Sequence, residues 1–233
     1  MNILSVDTAT EILSIALRTD SSYEERMIKG NFSHSEDLLS EILSLLERAK
    51  IELRDLDLLV CTKGPGSFTG LRVGMASLKG IRSGSDAKLV SVPTLNVMIR
   101  AVGSRDIPVL AVIDAKKKKF YMQAEKEGKI LVSTRDGNPD DISDFIAENE
   151  RILITGQDAE KFLSKIEDES LRAKFIIDDM APRNLSRALI ALGLETLERD
   201  GEDEIGEGPL YIRRSDAEEA LLKKIKEKEN ENN

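Results

Sequence analysis

A buried strand ending in aspartate occurs twice in this chain, and each copy opens the same order of elements. Ile3-Leu4-Ser5-Val6-Asp7 begins the first, and Val109-Leu110-Ala111-Val112-Ile113-Asp114 begins the second. After Asp7, residues 12–17 and 23–29 read as two more strands, an antiparallel meander. A helix over 33–49 follows, with its apolar stripe at Leu38, Leu39, Ile42, Leu45, Leu46 and Ala49. Ser33 and Glu36 have capping-box spacing at its start. Then come a strand over 58–62, a glycine-rich turn, a helix over 75–81 and a strand over 88–92. After Asp114 the order resumes: strands over 120–125 and 129–133, a helix over 140–148, a strand over 152–155, a helix over 159–166. An apolar run at 175–177 and a helix over 182–199 close it. Two related β-β-β-α-β-α units restrict the chain to a two-lobed α/β fold. The expected lobes are 1–104 and 105–217. Residues 218–233, dense in Lys, Glu and Asn, are expected to be disordered beyond Leu221, Leu222 and Ile225.

The bulk numbers exclude several functions. A formal net charge of −9 argues against tight, independent nucleic-acid binding, which depends on neutralising phosphates with Lys and Arg. The chain has one histidine, His34, so a metal site built on two histidines is impossible within it. Its one cysteine, Cys61, excludes an intramolecular disulfide and sits in an apolar run, as a core thiol would. No apolar run approaches a membrane span, and the N-terminus lacks the basic flank of a signal peptide. A soluble cytoplasmic protein with no membrane partner is expected.

The segment Lys63-Gly64-Pro65-Gly66-Ser67-Phe68-Thr69-Gly70-Leu71-Arg72-Val73-Gly74 lies between a strand and a helix. Such a turn can aim backbone N–H groups at an anion. It lacks the Gly-Lys-Ser/Thr end of a P-loop, and the third glycine of G-x-G-x-x-G falls on Thr69. Ser67 lacks the flanking glycines of a nucleophile elbow and reads as a helix cap. Gly66, Gly70 and Gly74 recur every four residues, so a helix starting early would carry them on one bare face. That face can pack on the chain's own sheet, or it can accept a helix from another molecule. For the second case the expected interface is His34, Leu38, Leu39, Ile42 and Leu46 with Gly66, Gly70, Leu71, Gly74 and Met75.

In a two-lobed fold Asp7 and Asp114 face a common cleft, where such pairs can hold a metal–nucleotide. The turns after them, Thr8-Ala9-Thr10 and Ala115-Lys116-Lys117-Lys118-Lys119, contain no glycine for a backbone to close on a phosphate. Asp7, Thr8, Thr10 and Asp114 therefore read as degenerate cleft positions, with Asp7 and Thr10 bracing their hairpin. The four lysines read as a solvated hairpin tip, or as a small contact for RNA.

The series Ile3-Leu4-Ser5-Val6-Asp7-Thr8-Ala9-Thr10, His34-Ser35-Glu36-Asp37-Leu38-Leu39, the glycine segment, Val112-Ile113-Asp114-Ala115 and Pro209-Leu210-Tyr211-Ile212-Arg213 resembles the TsaB (YeaZ) family. The resemblance implies an actin/Hsp70-like (ASKHA, ribonuclease H-like) fold and no transferase activity in this chain. It implies pairing with TsaD, the catalytic paralogue that transfers threonylcarbamoyl to adenosine 37 of ANN-decoding tRNAs. It also implies a place beside the ATPase TsaE, a homodimer when alone, and tRNA contact only through the complex. Catalytic relatives carry H-x-x-x-H on the first helix. Here the second position is Leu38, so no metal and no cofactor are expected. The Lys116–Lys119 run departs from the family pattern. The alternative reading is a metal- or nucleotide-dependent enzyme, glycoprotease-like, acting alone. A third is a partner of unrelated proteins.

Overall fold

The computed structural model describes residues 1–29, 34–178 and 185–213, with side chains in the first helix described from Leu38 onward. The Ser33–Glu36 capping box, the His34 side chain, the Pro182 helix start and the 218–233 tail lie outside the described residues.

Two five-stranded sheets carry the fold. The first contains β1 (Ile3–Asp7), β2 (Ile12–Arg18), β3 (Tyr23–Lys29), β4 (Leu58–Gly64) and β5 (Lys88–Pro93), in the order β3-β2-β1-β4-β5. The second contains β6 (Val109–Asp114), β7 (Phe120–Lys126), β8 (Lys129–Gly137), β9 (Ile152–Thr155) and β10 (Phe175–Asp178), in the order β10-β9-β6-β7-β8. Both are a meander followed by parallel crossovers. β1 pairs antiparallel with β2 (Asp7 opposite Ser14) and parallel with β4 (Ile3 opposite Leu58). β6 repeats this between β7 (Asp114 opposite Phe120) and β9 (Val109 opposite Leu153). Strands covered on both faces read as continuous apolar runs, and every residue of β1 is buried. This duplicated order is the two-lobed actin/Hsp70-like (ASKHA, ribonuclease H-like) architecture.

Helices separate and flank the sheets. α1 (His34–Ala49) and α2 (Phe68–Arg82) cover the outer side of the first sheet. Leu38, Ile42 and Leu45 of α1 are fully buried there with Leu13, Leu59 and Met75. Each such side chain contributes about 1.5–3 kcal/mol by leaving water. α3 (Thr94–Val102) and α7 (Leu185–Asp200) lie between the sheets. α7 follows the second sheet in sequence but packs on α3 and on β1, β4 and β5 of the first. α4 (Ser143–Glu148), α5 (Ala159–Leu163) and the short α6 (Glu169–Arg172) flank the far side of the second sheet. The 140–148 helix resolves into a 3-10 turn, Pro139–Ile142, followed by α4.

α3 has no counterpart in the sequence reading. Its TLNVMIRAV sequence buries seven of nine residues, and its polar face is a single pair one turn apart, Asn96 and Arg100, a short signal in nine residues directly after a strand.

After α7 the chain returns as a strap along the first sheet. Asp203 N–H donates to Leu89 O at 2.8 Å and Leu210 N–H to Lys63 O at 2.6 Å. Gly64, at φ 112°, leaves room for this crossing: a Cβ there would lie 2.5 Å from Leu210 O. α2 reaches over to hold the strap. Lys79 Nζ donates to the Ile205 carbonyl at 2.8 Å and also to that of Glu207, and Arg82 binds Asp203 O and Glu202 at 3.1 and 2.7 Å. Arg72 lies over the Phe68 ring at 3.9 Å and donates to the Tyr211 hydroxyl at 2.8 Å. No helix among the described residues is long and apolar enough to cross a membrane.

Candidate functional site

Two places could carry function: the cleft between the sheets and the outer side of the α1–α2 pair. In the cleft, Asp7 is buried at the end of β1. Its Oδ1 accepts from Ala9 N–H at 2.9 Å and from Thr62 Oγ1 at 2.7 Å. Burial raises its pKa above the ordinary carboxylate range, and those two bonds offset only part of the rise. Thr10 Oγ1 accepts from Ile12 N–H at 3.2 Å, and Thr8 Oγ1 donates to Gly70 O at 2.7 Å. All three side chains thus brace the β1–β2 turn.

Asp114, at the matching end of β6, faces lysines instead. Its Oδ2 lies 2.6 Å from Lys161 Nζ and 3.4 Å from Lys116 Nζ, and its Oδ1 accepts from Lys116 N–H at 2.9 Å. Burial opposes its charge, but the bonds and charges of Lys161 and Lys116 outweigh burial and hold its pKa low. Between the sheets Asp7, Thr10, Thr94, Thr155 and Gln157 line a cavity of about 30 Å³. A water needs roughly 10–15 Å³, so this space admits a water or two. Among the described residues no three His, Cys, Asp or Glu cluster as metal ligands. Cys61 is buried and its thiol is pushed up to about 12, chiefly by burial, so it is not a nucleophile at neutral pH.

The α1–α2 pair corrects the expected interface. Ser67 caps α2, accepting from Gly70 N–H at 3.2 Å, as its position implied. The helix therefore does start early, but its glycines face inward. A Cβ at Gly66 would lie 2.8 Å from Ala9 Cβ. One at Gly70 would overlap Thr8 O, and one at Gly74 would overlap Thr8 Oγ1. The glycines admit the chain's own β1–β2 turn, so they are closed to a second molecule. Leu38, Ile42, Leu46, Leu71 and Met75 are likewise 0–3% exposed, inside the core. Of the expected set with described side chains, only Leu39 is exposed, at 46%, and Leu43 one turn later matches it.

On α2 the outward residues are Thr69, Arg72, Ala76 and Gly80. Both helices lie on the same side of the first sheet, so these residues and the two leucines share one outer surface. An open groove of about 470 Å³ adjoins it, lined by Leu43, Leu46, Ile51, Leu53 and Gly84. Sequence reasoning missed Leu43 and Gly80 because it assigned the glycine stripe to the outside. The i, i+4 pair Leu39–Leu43 lies one step off the stripe Leu38–Ile42–Leu45 and was legible as its exposed margin.

The family model for TsaD, tRNA N6-adenosine threonylcarbamoyltransferase, matches residues 31–196. TsaB of Bacillus subtilis (strain 168), a tRNA threonylcarbamoyladenosine biosynthesis protein, is 29% identical over 225 residues, 94% of this chain and 96% of that protein. The chain belongs to the TsaB (YeaZ) branch of the TsaD family. TsaB of Escherichia coli (strain K12) is 32% identical over 123 residues, a match spanning 52% of this chain and only about half, 53%, of that relative. Among solved structures, YeaZ from Pseudomonas aeruginosa superposes with a TM-score of 0.68 over 90% of this chain and 99% of that one, at 19% identity. A second Pseudomonas aeruginosa structure, described as similar to peptidase YEAZ, reaches 0.74 over 91% and 99%, at 20% identity. At these identities the structures speak for the fold. The family's two-lobed frame fits the duplicated sheets described above.

Proposed function

We propose that this chain is a non-catalytic subunit of tRNA threonylcarbamoyladenosine biosynthesis. It pairs with a TsaD-type paralogue and activates it for threonylcarbamoyl transfer to adenosine 37 of ANN-decoding tRNAs. The pathway is the one that names the Bacillus subtilis and Escherichia coli relatives. The non-catalytic reading is carried by Leu38. It is fully buried in the first-sheet core, at the position where the metal-bearing relatives implied by the resemblance have their second histidine. The lysine-paired Asp114 supports the same conclusion.

Pairing uses the outer surface of α1 and α2. Leu39 and Leu43 supply apolar area, and Thr69, Ala76 and Gly80 are short enough for a partner helix to approach closely. Two helices from each molecule then form a four-helix contact. The same surface serves a homodimer when the paralogue is absent. TsaE joins the assembly, and tRNA is reached through it in the cytoplasm.

The test mixes the full chain with its TsaD-type paralogue and TsaE and follows threonylcarbamoyl transfer to tRNA. Transfer that requires all the proteins, with none from this chain alone, is expected. Transfer by the paralogue at the same rate without this chain refutes the reading. So does ATP–Mg or stoichiometric zinc bound by the isolated chain.

A further inference from the structure

Arg72 sits one helical turn after Phe68 on the outer side of α2, and the strap brings Tyr211 against both. The guanidinium carbon lies 3.9 Å from the centre of the Phe68 ring and 5.6 Å from that of Tyr211. The two ring centres are 4.9 Å apart and the rings are tilted by 34°. Arg72 Nε donates to the Tyr211 hydroxyl at 2.8 Å. The backbone beside Tyr211 is fixed as well, because Leu210 N–H donates to Lys63 O.

The Phe68 ring takes a face of the guanidinium, and the Tyr211 hydroxyl takes Nε. These contacts tie down the strap, and they use neither terminal nitrogen. The edge that carries Nη1 and Nη2 is left as a fork, the geometry that grips a carboxylate with two parallel hydrogen bonds. No acid of the described residues fills it. Arg48, Arg82 and Arg100 each hold a glutamate, Glu24, Glu202 and Glu195, but Arg72 forms no ion pair among the described residues. Arg72 is exposed between the short side chains of Thr69 and Ala76, and Tyr211 and Leu210 are themselves 39% and 45% exposed.

We propose that Arg72 grips a carboxylate side chain of the TsaD-type paralogue through Nη1 and Nη2, and that Phe68 and Tyr211 preset it for that contact. The inference rests on the pairing proposed above and adds the strap to the pairing surface. Arginine and aromatic side chains are enriched in the few contacts that dominate an interface. A side chain already held in place loses less freedom on binding. The occupant is a carboxylate and not an RNA phosphate. The outward neighbours of Arg72 on α2 are Thr69, Ala76 and Gly80, and Leu39 and Leu43 share the surface from α1. None of these is cationic, and a nucleic-acid surface needs several cations together.

The test measures affinity of the full chain for its TsaD-type paralogue by calorimetry. Arg72→Glu is expected to weaken pairing roughly thirtyfold or more, as loss of a desolvated charge pair does. Arg72→Lys keeps the charge without the fork and is expected to weaken it roughly tenfold. Tyr211→Ala frees the strap and keeps the arginine, so it separates a loosened strap from a lost charge contact. Reversing the charge of one acidic residue on the paralogue's contact helices is expected to restore pairing of Arg72→Glu and not of Tyr211→Ala. Unchanged affinity in Arg72→Glu overturns the proposal. So does a loss that no single charge reversal in the paralogue restores, which assigns the effect to the strap. Intact pairing with weakened tRNA binding by the assembly places a phosphate at Arg72 and overturns it too. Failure of the unsubstituted proteins to pair refutes the function proposed above, and the Arg72 contact falls with it.

Discussion

Gly70→Ala and Gly80→Ala are the same chemical change in the same helix, and the structure gives them opposite signs. Replacing an interior helical glycine by alanine stabilises a helix by about 1 kcal/mol when nothing else changes. At Gly80 nothing lies within 4 Å of an added Cβ, so the full gain is expected. At Gly70 the Cβ overlaps the carbonyl oxygen of Thr8, which is backbone at the end of β1 and cannot swing aside. Relieving that overlap shifts α2 against the sheet, at a cost of about 1–3 kcal/mol. The shift also strains the buried 2.7 Å bond from Thr8 Oγ1 to Gly70 O, whose loss costs about 1–3 kcal/mol. Setting the helix gain against these leaves Gly70→Ala destabilised by about 1–5 kcal/mol. For a chain of this size each kcal/mol moves the melting temperature by about 2–4 °C. Thermal unfolding followed by circular dichroism should therefore show Gly70→Ala melting about 2–20 °C lower and Gly80→Ala about 2–4 °C higher. Equal melting temperatures for Gly70→Ala and the unsubstituted chain would refute the argument that the β1–β2 turn dictates the glycine.

Leu39→Asp/Leu43→Asp lies on the exposed side of α1, so the fold should be kept while affinity for the TsaD-type paralogue falls at least tenfold by calorimetry. By contrast, Ile42→Ala, fully buried on the same helix, should cost about 2–5 kcal/mol in denaturant unfolding. Asp7 holds its proton more tightly folded than unfolded, because burial disfavours its charge. Its ionisation thus erodes stability as pH rises from the ordinary carboxylate range through its raised folded value. Asp7→Asn can still accept from Ala9 N–H and Thr62, and should melt higher than the unsubstituted chain at pH 7, with the gain shrinking toward acid pH. A gain that persists unchanged at low pH would contradict that account. Arg72→Ala removes the cation over Phe68 and the hydrogen bond to the Tyr211 hydroxyl, leaving only the direct Phe68–Tyr211 ring contact there, so the strap over 202–213 should be cut several-fold faster in limited proteolysis while the sheets stay protected.

The order of elements was legible because strands buried on both faces and helices with one apolar stripe announce themselves locally. β1 and β6 stood out as apolar runs closed by Asp7 and Asp114, and the α1 stripe was plain. α3 was not legible. It has only nine residues, and its contrast between faces rests on one polar pair, Asn96 and Arg100, too short a pattern to stand out directly after β5. The lack of glycine in the turns after Asp7 and Asp114 was plain in the sequence. The lysine that pairs with Asp114 could not be seen, because Lys161 arrives from α5.

By itself the sequence determined that the chain folds as two sheets of one order and that something must approach the glycines at 66, 70 and 74. Only the tertiary structure decided what approaches. Glycine spacing records the absence of side chains on a helix face and says nothing of its neighbour. That neighbour is Thr8–Ala9, some 60 residues earlier, brought there by the parallel pairing of β1 with β4. With the glycines taken up by the chain's own hairpin, the surface proposed for a partner is the opposite side of α2, with Leu39 and Leu43 of α1. Burial is a property of the packed chain, and it separated the core leucines of α1 from the two that remain available for binding.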